Sequence, residues 1–132
     1  MTKRDICLAA VAAMKNSYSP YSHFTVGAAL LTKSGKLYTG CNIENSAFGP
    51  TVCAERVSVF KAVSEGEREF EILAVVGGKD GNVKGVTPPC GVCRQVLSEF
   101  ASQDLLVLFV KDRDGSFEEH TLGEILPFSF GL

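Results

Sequence analysis

The chain has 132 residues, with 13 Lys and Arg against 15 Asp and Glu for a formal charge of −2. That length suits one domain spanning residues 1–132, and a composition 45 % hydrophobic and 21 % charged can bury a core without disulfide support. The charge offers no footprint for nucleic acid, and no apolar run approaches the ~20 residues of a membrane helix. A soluble, cytoplasmic protein with neither kind of partner is expected.

Thr2-x-x-Asp5 reads as a capping box, and Ile6, Ala9, Ala10, Ala13 and Met14 recur at helical spacing, which predicts a helix over residues 3–16. This amphipathic stretch, with Asp5 at its start, is unlike a signal peptide. After Ser19-Pro20, residues 24–33 are apolar enough for a buried strand. Ser34-Gly35 then turns the chain into a paired strand over 36–41. Residues 42–50 read as a loop. Thr51 is expected to cap a helix over 52–65 that Gly66 closes. A strand over 71–77 and a Gly/Lys/Pro-rich loop over 78–89 follow. A helix begins near Cys90, with Val92, Val96, Leu97 and Phe100 on one face. The uninterrupted Leu105–Val110 run marks a strand covered on both sides. A turn, a short strand and a brief helix capped by Thr121-x-x-Glu124 complete the chain. The alternation implies an α/β fold with a central sheet and helices on both faces.

Five cysteines do not suit a disulfide framework, which wants an even count. Two segments place cysteine at a helix start: Cys53-Ala54-Glu55-Arg56 and Pro89-Cys90-Gly91-Val92-Cys93-Arg94. A helix N-terminus favours a thiolate, because its unpaired N–H groups and dipole attract negative charge. Three such thiolates, Cys53, Cys90 and Cys93, suit Zn²⁺, and three protein ligands with one open position is the catalytic pattern. Glu55 then sits where a general base on a metal-bound water belongs. Arg56 and Arg94 follow the ligands directly and are expected to donate hydrogen bonds to sulfur, offsetting the surplus negative charge of three thiolates.

Blander readings stand beside these. Cys90 and Cys93 alone would equally make a redox or structural pair, and Cys41 would close a structural Cys₄ site. Cys7 reads as a small buried helix residue. Glu55 would be a favourable acid in a first helical turn, Phe24 a core aromatic, and Asn42 and Glu44 turn residues. His23 and His120 read as exposed polar residues.

Together the two cysteine segments resemble the short, zinc-dependent cytidine deaminases, whose metal and glutamate chemistry is known in general form. The resemblance extends through Tyr18–Phe24, Val26–Leu31, Gly40–Asn45, Lys61–Gly66 and Leu126-Pro127. It implies a three-layer α/β/α sandwich around a mixed five-stranded sheet. It also implies a zinc-bound hydroxide attacking C4 of cytidine or deoxycytidine, with Glu55 shuttling protons, in pyrimidine salvage. On the same resemblance the Ala54 N–H would hold the pyrimidine O2, Phe24 would stack on the base, and Asn42 and Glu44 would bind the sugar. Phe130, with Phe128 as competitor, would reach into a neighbouring subunit of a homotetramer. Cys rather than His before Ala-Glu is similar to the homotetrameric nucleoside enzymes. Departures are the doubled Pro88-Pro89, Phe48 where tyrosine is common, and a short C-terminal tail. The alternatives are a deaminase of another cytosine nucleoside, such as an antibiotic, and a zinc-stabilised binding module without turnover.

Overall fold

The computed structural model describes residues Met1–Leu132. Helix α1 covers Lys3–Ala13, and its last turn tightens into a 3₁₀ segment over Met14–Asn16. The Thr2/Asp5 capping box forms as expected: the Thr2 hydroxyl accepts from the Asp5 N–H, and the Asp5 carboxylate accepts from the Thr2 N–H. Strands β1 (Phe24–Thr32) and β2 (Leu37–Cys41) make an antiparallel hairpin. Its turn takes four residues, 33–36, rather than the two expected. Thr32 and Lys36 close it, and Gly35 supplies a φ of 91°.

Helix α2 covers Ala54–Ser64, two residues later than expected, with Cys53 as N-cap in place of Thr51. The Thr51 hydroxyl is engaged elsewhere, accepting from the Asn45 N–H and donating to the Ala47 carbonyl, so it staples the preceding loop. Strand β3 (Phe70–Lys79) is longer than its apolar pattern suggested. Gly78 and Lys79, expected in the loop, continue it by pairing with Thr25 and Phe24 of β1. Helix α3 (Gly91–Phe100), strands β4 (Leu106–Val110) and β5 (Phe117–Thr121), and the short helix α4 (Leu122–Ile125) follow.

The sheet order is β2-β1-β3-β4-β5, antiparallel except for the β3–β4 pair, which α3 connects as a crossover. Side-chain alternation along the strands divides the interior in two. Ile6, Cys7, Ala10 and Met14 of α1 pack on Ala29, Ala74, Val76 and Leu108. On the other face Ala54, Val59, Ala62 and Leu97 pack on Ala28, Leu30, Leu73, Val75 and Val107. The fold is therefore the expected three-layer α/β/α sandwich with a mixed five-stranded sheet. No helix is long and apolar enough to cross a membrane.

Candidate active site

Helices α2 and α3 share one face of the sheet, and each begins on a cysteine. Neither Cys53 nor Cys90 uses its side chain to cap its own helix, although their carbonyls accept the first helical bonds, from Val57 and Arg94. The sulfurs are thus free to face one another. Cys53 Sγ lies 3.8 Å from Cys90 Sγ, and Cys90 Sγ 3.5 Å from Cys93 Sγ. All three sulfurs fall within 4.8 Å of one another. Tetrahedral zinc with Zn–S bonds near 2.3 Å requires sulfurs about 3.8 Å apart, so this trio fits the ion. Cys41, His23 and His120 are not part of the cluster, which leaves three ligands rather than four. All five cysteines are free.

Charge is uneven among the thiols. Hydrogen bonds from Cys93, Arg56 and Cys90 lower Cys53 to about 5, against the opposing effect of burial. Cys93 moves the other way, because it donates to the Cys53 thiolate and is itself buried. The Arg56 Nη2 lies 3.4 Å from Cys53 Sγ, the contact expected of it, while its Nε is buried without a partner. Arg94 corrects the expectation. Its Nε donates to the Pro89 carbonyl at 2.7 Å and its Nη1 to the Ile125 carbonyl at 2.6 Å, so it braces the chain entering Cys90 rather than a sulfur.

Glu55 is the second residue of α2 and only 4 % exposed. Burial pushes its carboxyl up to about 7, and the Cys53 charge adds to this. A thiol hydrogen bond from Cys93 acts in the opposite sense, which places the carboxyl against the sulfur cluster. A buried acid with its pKa near neutrality is poised to hold or release a proton there. Ala54, between ligand and acid, is fully buried at the helix start.

The remaining predicted residues form a second layer. Phe24 opens β1, is 38 % exposed, and lies against Gly77, where an added Cβ would come within 2.9 Å of its ring. Together with Gly77 and Thr87 it lines a cavity of about 380 Å³. Asn42 and Glu44 hold the segment that leads into it. Asn42 Nδ2 donates to the Phe24 carbonyl at 2.8 Å, and its Oδ1 accepts from the Val26 N–H and the Ser17 hydroxyl. Glu44 accepts from the Tyr21 and Ser22 N–H groups and from the Ser22 hydroxyl, which holds its carboxyl below the usual range. One Asn42 N–H and part of the Glu44 acceptor capacity remain uncommitted. Ser17 and Ser22 are the residues that sequence reasoning missed; in sequence they are two among several loop serines. Phe130 is 69 % exposed and Phe128, at φ 55°, is fully exposed, so neither is packed into the core of its own chain.

Comparison with known proteins agrees with this geometry. Residues 1–109 match the family described as "Cytidine and deoxycytidylate deaminase zinc-binding region". The chain belongs to this family. A cytidine deaminase of Sporosarcina psychrophila is 49 % identical over 118 residues, covering 89 % of this chain and 83 % of that protein. The crystal structure of a cytidine deaminase from Burkholderia pseudomallei superposes with a TM-score of 0.89 at 42 % identity, covering 98 % of this chain and all of that one. A blasticidin-S deaminase of Bacillus cereus is similar at the lower level of 31 % identity, over 98 % of this chain and 94 % of that protein.

Proposed function

We propose that the chain hydrolyses cytidine and deoxycytidine to uridine and deoxyuridine with release of ammonia. It would do so as a cytoplasmic enzyme of pyrimidine salvage, built from one domain over residues 1–132. The observation that carries this reading is the convergence of three thiols on a buried carboxyl whose pKa lies near neutrality. Zinc held by Cys53, Cys90 and Cys93 supplies Lewis acidity that makes water nucleophilic near pH 7.

The protein's own groups account for the rest. As the C4–O bond forms, Glu55 accepts a proton from the attacking water and passes one to ring N3. As the C4–N bond breaks and the C4 hydroxyl becomes the product carbonyl, Glu55 takes the proton of that hydroxyl and delivers it to the departing amine, which leaves as ammonia. A carboxyl near 7 suits both directions, because neither its acid nor its base form is strongly favoured at working pH. The Ala54 N–H donates to the pyrimidine O2, and Phe24 stacks on the base. The remaining N–H of Asn42 and the free acceptor capacity of Glu44 meet the sugar hydroxyls, so the two residues both shape the Phe24 segment and bind ribose. The exposure of Phe130, at 69 %, supports its reaching into a neighbour's site in a homotetramer.

The deciding assay is release of uridine and ammonia from cytidine, with and without a chelator. Turnover that stops on chelation and returns with zinc is expected. Inertness toward cytidine with turnover of an antibiotic cytosine nucleoside would move the substrate to that class. Metal binding without either turnover would make the domain a zinc-stabilised binding module.

A further inference from the structure

We propose that Gly40, in β2, is a positioning residue that sets where Cys53 and Glu55 stand relative to the two cysteines of α3. This inference rests on the site assigned above. A Cβ added at Gly40 would lie 2.5 Å from the Ala54 carbonyl oxygen, 2.7 Å from the Ser58 nitrogen and 3.0 Å from Val57 Cβ. Ordinary contact begins at 3.4 Å, and two of these three atoms are backbone. They are the acceptor and donor positions of an i,i+4 pair in the first turn of α2, so neither can rotate away. The backbone of α2 is therefore pressed directly on the strand, and only a hydrogen atom separates them.

The sheet side of this contact is held. Gly40 pairs with Ala28 of β1, which is fully buried and pairs in turn with Val75 of β3. The first turn of α2 is what must move when the gap is filled. It carries Cys53 at its N-cap and Glu55 at its second position, whereas Cys90 and Cys93 belong to α3, and the three atoms nearest a Gly40 Cβ all belong to α2. Displacement therefore changes the 3.8 Å Cys53–Cys90 separation and leaves the 3.5 Å Cys90–Cys93 separation intact. One ligand and the proton carrier shift together against the other two ligands.

Gly27 provides the control. A Cβ there would lie 2.1 Å from the Ala10 carbonyl oxygen and 3.0 Å from the Met14 nitrogen, a tighter contact of the same kind against α1. No residue of the site lies on that helix. Both Gly→Ala variants should lose stability, so stability alone does not separate them. The ligand-field and thiolate charge-transfer bands of the Co²⁺-substituted protein do, because they read sulfur geometry without requiring turnover.

Gly40→Ala is expected to shift those bands, and to lower kcat by about tenfold to a hundredfold with a smaller change in KM, as a displacement near 1 Å implies. Gly27→Ala is expected to keep the parent bands and kcat in its folded fraction. Parent-like bands and kcat in folded Gly40→Ala, or an equal shift in Gly27→Ala, would overturn the proposal, the first by showing that edge strand β2 yields instead. If Gly40→Ala does not fold, Lys61→Met decides. Lys61 Nζ donates to the Thr39 carbonyl at 2.5 Å and so ties the last turn of α2 to β2. A shift of its Co²⁺ bands from those of the parent supports the proposal, and unchanged bands overturn it. Failure of the parent to deaminate cytidine would leave the Co²⁺ comparison intact and so bears on the activity alone.

Discussion

Cys7 and Cys53 lie in helices on opposite faces of one sheet, and their surroundings drive them in opposite directions. Cys7 sits in the middle of α1, fully buried among Ile6, Ala10 and Met14, where burial raises its thiol to about 11. Cys53 stands at the start of α2, where Arg56, Cys90 and Cys93 lower it to about 5. The same side chain is an inert filler on one face and an anionic ligand on the other. The difference lies in the position along the helix and in the donors that position allows. In a helix interior every backbone donor is used, and only packing remains; at an N-terminus the dipole and the neighbouring element supply charge. One face supplies stability and the other chemistry.

Changes to the chemical face should have the largest effects. Glu55→Gln is expected to lower kcat by roughly 10²–10⁴-fold while zinc content stays at the parent value. Parent-level turnover, measured as ammonia release, would remove Glu55 from the mechanism. Arg56→Gln comes next. It deprives Cys53 of its cationic donor, so the thiol rises and zinc affinity falls by about tenfold to a hundredfold in competition with a chelator. The weakening should grow as pH falls, because protons compete with the metal for the thiolates.

Effects on the opposite face should appear in stability and not in turnover. The Cys7 thiol is protonated in the folded chain up to about 11, whereas it ionises near its ordinary value of 9.0 once unfolded. Its contribution is therefore complete below pH 9 and is lost as pH rises toward 11, on the order of 2 kcal/mol in all. Cys7→Ala should flatten that alkaline slope in denaturant titrations and leave zinc content and kcat unchanged. The smallest effect is expected at Lys3, which pairs with Glu119 at 2.6 Å and ties α1 to edge strand β5. The partners are 42 % and 41 % exposed, so Lys3→Ala should cost less than about 1 kcal/mol, and less again in high salt. A change in kcat from either variant would break the division between the faces.

Much of this protein was legible in the order of its residues. Periodicity and turn residues placed every helix and strand, because amphipathic patterning and capping are local. The errors fell where tertiary contacts override local signals. Thr51 looked like an N-cap, but its hydroxyl bonds Asn45 and Ala47, and the helix waits for Cys53. Gly78 and Lys79 looked like loop, but Thr25 and Phe24 of β1 offer them partners. Arg94 looked like a sulfur donor, but two carbonyls lie nearer its guanidinium.

The sequence by itself determined the chemistry available: three cysteines at two helix starts, an acid two residues after the first, and an arginine beside it. Residue type and helix position set those properties, and both are written along the chain. Only the tertiary structure decided that the three sulfurs meet within 4.8 Å while Cys41 stays apart, that Glu55 is buried to a pKa near 7, and that Asn42 and Glu44 grip the Phe24 segment. Those facts depend on how closely two helices lie on one sheet. Backbone packing at residues such as Gly40 sets that distance, and it leaves no periodic mark in the sequence.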